Sequence, residues 1–196
     1  MEPSSSGILC IAGLGILLAA ACWTDARSRR ISNKLVLAGA LAGFALNTLL
    51  PQGSGLFSAH PGGLGFLDSF SGFAVGLGAL LPLYLLRAMG AGDVKLMAMI
   101  GAFLGPSSIL GVVLMTFLAG GFLAIAVALW KGVLFSALLN VRSMLINTMM
   151  NSISGQGAQI EPLLATAAAT LPYALAITAG TFLQILLAYG GHAIIS

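Results

Sequence analysis

The sequence predicts an all-α, polytopic membrane protein with about six transmembrane helices, and three observations carry that prediction. The chain of 196 residues is 59% hydrophobic and only 7% charged, with a mean hydropathy of +1.05. Soluble globular domains carry about 25% charged residues, so this chain cannot cover a water-facing surface and its natural solvent is lipid. Six apolar runs can be read along it, and the eight basic residues all fall between alternate runs. No long polar stretch separates the runs, which predicts one membrane-embedded domain over residues 1–196. The 26 glycines favour close contact between helices in lipid.

The runs justify the elements in order. The first spans roughly Ile8 to Thr24 and the second Leu35 to Leu50, ended by Pro51-Gln52-Gly53. The third spans about Leu67 to Leu86, with Pro82 as a kink near its end. The fourth, Val94 to Leu104, stops at Gly105-Pro106 and is short. A dozen residues rise about 18 Å, less than the ~30 Å of a hydrocarbon core, so this run starts in an aqueous notch or is re-entrant. The fifth spans about Ile109 to Trp130 and the sixth Leu171 to Tyr189. Between them, Lys131 to Met150 mixes apolar residues with Asn140, Arg142, Ser143, Asn147 and Thr148, which reads as an amphipathic helix lying on the membrane surface. Residues 151–161, rich in Ser, Gly and Gln, read as a loop.

Charge sets the orientation. Arg27, Arg29, Arg30 and Lys34 lie between runs one and two, Arg87 and Lys95 between runs three and four, and Lys131 and Arg142 between runs five and six. In a six-pass topology all eight lie on one side. That side is cytoplasmic by the positive-inside rule, which places both termini outside. Ala19-Ala20-Ala21-Cys22 resembles a cleavage box, but Met1 to Gly7 has no Lys or Arg, so retention of the first run is expected. Cys10 and Cys22 share that run, where a disulfide is geometrically unfavourable and a four-ligand zinc site is impossible. No metal site, cofactor or nucleic-acid partner is predicted.

Five carboxylates occur in the chain, and two of them matter most. Asp25 ends the helix that enters the cytoplasmic side, and Asp93 begins the one that leaves it. The topology allows these ends to be adjacent. Each acid also has an ordinary reading: Asp25 as a juxtamembrane acid neutralised by Arg27 or Arg29, and Asp93 as the N-cap of a helix starting at Val94. Acids at membrane depth are costly and tend to mark function. Two that share a site do not easily ionise together, so one keeps a proton while the other activates a water. Gly90 and Gly92, in Gly90-Ala91-Gly92-Asp93, remove side chains where an extended peptide would approach, or simply make a turn. Lys95 either orients an anionic part of a substrate or snorkels to the interface. Asn33 either hydrogen-bonds near the acids or caps the second helix. His60 and His192 fall on the far side. Asp68 and Glu161 have no partner acid at their depth, and Glu161-Pro162 reads as a helix start.

These motifs resemble the type IV prepilin peptidases, membrane aspartyl proteases of the Gly-x-Gly-Asp type. The resemblance rests on Asp25-Ala26-Arg27-Ser28-Arg29-Arg30-Ile31-Ser32-Asn33, on Gly90-Ala91-Gly92-Asp93-Val94-Lys95-Leu96, and on Leu171-Pro172-Tyr173-Ala174-Leu175-Ala176-Ile177. Ser32 stands where the family usually has Pro. The paired Cys-x-x-Cys motifs of larger bifunctional members, and the insertion that carries them, are missing, so methylation of the new N-terminus is not expected. The compact form is similar to peptidases of tight-adherence (Flp-type) pilus systems. The resemblance implies a bacterial inner-membrane endopeptidase with Asp25 and Asp93 as its catalytic pair facing the cytoplasm, and Gly90, Gly92, Lys95 and Asn33 in support. It implies a prepilin or pseudopilin substrate and proximity to pilus assembly machinery. A small proton-coupled transporter and a non-catalytic assembly protein are the competing readings. The first should show related halves and a polar path at the midplane, and neither is visible.

Overall fold

In the computed structural model the described residues are 5–51, 53, 62–86, 89–130, 132 and 173–189. They form five helices and no strand: α1 (Ser5–Ser28), α2 (Asn33–Leu49), α3 (Phe66–Leu85), α4 (Ala91–Trp130) and α5 (Tyr173–Tyr189). Three of these contain stretches long and apolar enough to cross a membrane, within α1, α3 and α4. The surface segment expected at Lys131 to Met150, the loop at 151–161, and His60, Arg87, Glu161 and His192 lie outside the described residues. By internal contacts the chain divides into two units, residues 1–120 with 172–196, and residues 121–171. Of the second unit, the described part is the last stretch of α4 and Gly132.

Within the first unit, α1 packs on α2 and α5, and α2 packs on α3. The start of α4 is the centre: Leu96, Met97, Met99, Ile100 and Phe103 are all fully buried. A helix apolar on every side belongs in the middle of a bundle. Its neighbours reach it through small residues. On α3, a Cβ added at Gly72 would run into the Gly101 carbonyl, and one at Gly101 would run into that of Gly72. On α2, Gly39 faces Met99, and Gly43 faces Ala102 and Phe103. Gly39/Gly43 and Gly72/Gly76 each repeat at four residues, the spacing that lets helix backbones meet in lipid. The outward faces carry Ile16, Leu37, Leu41, Phe70 and Leu118, apolar and exposed as lipid requires.

The fourth and fifth apolar runs are joined without a loop. Helical geometry breaks only at Gly105, at φ 78° and ψ 175°, a conformation that glycine reaches readily. The chain reverses there. The ring of Tyr173 lies beside Gly120, while Asp93 is close enough to act electrostatically on its phenol. A straight helix would hold residues 93 and 120 about 40 Å apart. Gly76 of α3 likewise faces both Met97 and Ile109, one from each arm. The first arm therefore starts at Ala91, three residues before the Val94 start read from the sequence. At roughly 14 residues it is still only about 21 Å long.

Pro106 explains why the turn needs help from elsewhere. Proline has no N–H, so the Ala102 carbonyl loses its donor four residues on. Two buried side chains replace it. Ser69 Oγ donates to Ala102 O at 2.6 Å, and Asn47 Nδ2 donates to the same oxygen at 2.8 Å and to Phe103 O at 3.2 Å. Asn47 Oδ1 accepts the Leu64 N–H at 3.1 Å, and its backbone carbonyl accepts that of Gly65. One asparagine thus ties α2, the approach to α3 and the α4 turn together.

We expect Asn47→Leu to lower stability by about 1–3 kcal/mol, because it strands the Leu64 N–H and the Phe103 carbonyl. Ser69→Ala should cost less, since Asn47 still serves Ala102. The double variant should lose more than the sum, and thermal unfolding in detergent measures all three. Gly101→Val should prevent the bundle from closing, by a cost of about 1–3 kcal/mol or more, seen as loss of a cooperative transition.

Candidate active site

At the end of the bundle opposite the Gly105 turn, three helix ends converge. Asp25 sits in the last turns of α1. That helix ends at Ser28 because Arg29 takes up a left-handed backbone, φ 50°, with its N–H still on the Asp25 carbonyl at 2.8 Å. Ser32 is the N-cap residue of α2 without a side-chain cap bond, and Asn33 is the first helical residue rather than the cap.

Asp93 is the third residue of α4, not the cap of a helix starting at Val94. The first turn forms earlier because the Gly90 carbonyl accepts the N–H groups of Asp93 at 3.2 Å and Val94 at 3.5 Å. The Asp93 carboxylate in turn accepts a backbone hydrogen bond from Gly90. An acid at this position reaching back to the residue before the helix is half of a capping box.

The two carboxylates are near enough for their charges to interact. Asp25 Oδ2 also accepts the Ala174 N–H of α5, at 3.3 Å, and Asp93 acts on the phenol of Tyr173 next to it. Helix starts leave N–H groups without partners and carry partial positive charge, so both acids sit where anions are favoured. The first turn of α5 is the part of this arrangement that sequence reasoning left without a role. Its signal in the sequence was the segment Leu171 to Ile177, which carries part of the family resemblance without assigning any residue a role.

The supporting residues fall into place differently from one another. A Cβ on Gly90 would stand 3.3 Å from Asp93 Oδ2, so the bare backbone there leaves room for the acid itself. A Cβ on Gly92 would stand 3.2 Å from the Cβ of Ile31, in the segment that follows Asp25. Gly92 thus lets the α1–α2 connection lie on the start of α4. Lys95 and Asn33 meet each other: Lys95 Nζ donates to Asn33 Oδ1 at 3.0 Å, on the exposed side. Asp68 is in the first turn of α3, at the turn end of the bundle. Cys10 and Cys22 are both free thiols. Among the described residues no group of three or more His, Cys, Asp or Glu side chains is placed to hold a metal ion.

The comparison with protein families matches the type IV leader peptidase family over residues 12–125, more than half of the chain. The chain belongs to that family. The match includes both Asp25 and Asp93 and stops before α5. Comparisons with curated proteins and with solved structures gave no match. Family membership and the long apolar helices together make this a membrane peptidase.

The Lys95–Asn33 bond links α4 to α2 in an exposed setting, where such pairs contribute less than about 1 kcal/mol. Lys95→Ala, Asn33→Ala and the double variant should therefore unfold within about 1 kcal/mol of the parent. A double-mutant cycle should return a coupling of a few tenths of a kcal/mol.

Proposed function

We propose that this protein is an aspartyl endopeptidase that removes the leader of type IV or Flp-type prepilins at the cytoplasmic boundary of the bacterial inner membrane. The observation that carries the reading is the approach of Asp25 and Asp93 at one end of the bundle, in a chain with only five carboxylates. The bundle end also carries Lys95 and the stretch from Arg27 to Lys34. Read as six crossings, α1, α2, α3, the two arms of α4 and α5 would put Arg27, Arg29, Arg30, Lys34 and Lys95 on the cytoplasmic side, with the start of α1 and the end of α5 outside. A leader with a basic segment followed by an apolar helix would then reach the acids from the cytoplasmic side, its helix in the bilayer.

The chemistry needs two carboxyl groups in opposite protonation states. The ionised one takes a proton from a water whose oxygen bonds to the scissile carbonyl carbon. The protonated one gives its proton to the carbonyl oxygen, which forms a neutral tetrahedral diol. Collapse breaks the C–N bond. The nitrogen takes up a proton from the first carboxyl, and the second recovers its own from a hydroxyl of the diol. The products are a free leader carboxyl and a free amine, and the pair is restored. No cofactor takes part in this scheme, and with no Cys-x-x-Cys module the new amine would stay unmethylated.

Co-expression with a tagged Flp-type prepilin, followed by mass spectrometry of the pilin, tests this. The parent should release the leader. Asp25→Asn and Asp93→Asn should each lower the rate by on the order of 10⁴-fold while inserting and unfolding normally, as expected for loss of acid–base groups. Robust cleavage by either variant would exclude the acid pair. No cleavage by the parent with a cognate pilin would favour the transporter or assembly readings.

A further inference from the structure

The family match ends at residue 125, yet α5, which lies beyond it, reaches Asp25. Asp25 sits in the last turns of α1, where the backbone N–H groups are spent on the helix itself. Its carboxylate finds a donor at another helix start, where the first N–H groups have no helical partner. Ala174, the second residue of α5, supplies it: its N–H donates to Asp25 Oδ2. At 3.3 Å this bond is long, so a small shift of α5 would lose it.

A second contact sets where α5 stands against α1. Thr178 Oγ1 donates to the Ala174 carbonyl at 2.7 Å, which uses its single proton. The 3.0 Å contact between Cys22 Sγ and Thr178 Oγ1 therefore has the thiol as donor. Cys22 lies one turn before Asp25 on α1, and Thr178 one turn after Ala174 on α5. The two contacts form successive rungs of one antiparallel seam. Ala174 takes part in both: its N–H meets Asp25, and its carbonyl holds the hydroxyl that meets Cys22. Apolar contact is non-directional, so directed bonds of this kind are what fix a helix register. A slip of one turn would carry the Ala174 N–H about 5.4 Å from Asp25.

We propose that Thr178 is a positioning residue for the acid pair: through its contact with Cys22 it sets the register in which the Ala174 N–H holds the Asp25 carboxyl. The assignment rests on the reading of Asp25 and Asp93 as that pair. It adds α5 to the site as the helix that fixes where Asp25 points.

Thr178→Val removes the hydroxyl and keeps the branched shape. With the full-length protein and a prepilin substrate, kcat should fall by on the order of tenfold, less than the ~10²-fold that a misplacement of about 1 Å costs. KM should stay at the parent value, and Thr178→Ser, which keeps the hydroxyl, should restore kcat. Cys22→Ala should lower kcat to the same degree, and combining it with Thr178→Val should lower it no further, because both break one contact. A second arm needs no activity. In a Cys10→Ala background, Thr178→Cys brings a second thiol to Cys22. Mild oxidation of the folded protein should join the two, seen by mass spectrometry as the loss of two hydrogens. Parent kcat in Thr178→Val, an equal fall in Thr178→Ser, a loss confined to KM, or free thiols after oxidation would each overturn the assignment. If the parent itself cleaves no prepilin, the acid-pair reading falls and this assignment with it. A cleaving parent with an unimpaired Thr178→Val overturns this assignment and leaves the acid pair standing.

Discussion

The structure depends on one backbone oxygen. Pro106 leaves the Ala102 carbonyl without a helical donor, in a fully buried residue where a bare carbonyl is costly. Asn47 and Ser69 supply the missing hydrogen bonds from two other helices. That repair lets the chain turn at Gly105 with no connecting loop. The turn brings the second arm of α4 back to the end where Asp93 begins the first. Without it, Gly120 would have no reason to lie beside Tyr173 at the start of α5. The arrangement around the two acids at one end of the bundle thus depends on a hydrogen-bond network at the other.

Between the two ends, position is held by shape rather than polarity. Lipid gives helices no hydrophobic reason to associate, so contact must come from close packing. The reciprocal approach of Gly72 and Gly101, and the placement of Met99 and Phe103 over Gly39 and Gly43, let three backbones meet around the first arm of α4. An arm of about 21 Å is short for a hydrocarbon core. It is shielded instead by α2 and α3, and its start, with Gly90 exposed, is left at the protein's surface.

Much of this was legible in the residues. Apolar runs place α1, α2 and α3 to within a few residues, and Gly105-Pro106 marks the break. Alternation of the basic residues puts Asp25 and Asp93 at one end before any coordinates exist. What escaped was long-range. Asn47 is one polar residue in an apolar run, and nothing local says that its partners lie 55 and 56 positions away. The Lys95–Asn33 bond spans 62 positions and joins two residues that the sequence offers only as separate alternatives. The start of α4 was misplaced because aspartate is a favoured N-cap, while here Gly90 accepts the first bonds and Asp93 reaches back to it. The contact of α5 with Asp25 spans 149 positions, which no periodicity or local motif encodes.

The two acids also answer a structural need. The starts of α4 and α5 each present N–H groups with no helical partner, and an apolar surrounding makes these expensive to leave bare. Asp25 serves Ala174, and Asp93 serves Gly90. The proposed catalytic demand and the capping demand would therefore fall on the same two side chains. This separates two kinds of substitution. Asparagine keeps an acceptor oxygen for the helix start and loses only the ionisable proton, whereas alanine removes both. Loss of activity in an alanine variant would mix a loosened α5 or α4 with lost chemistry. Loss in the asparagine variant, with the helix start still held, would be loss of chemistry alone.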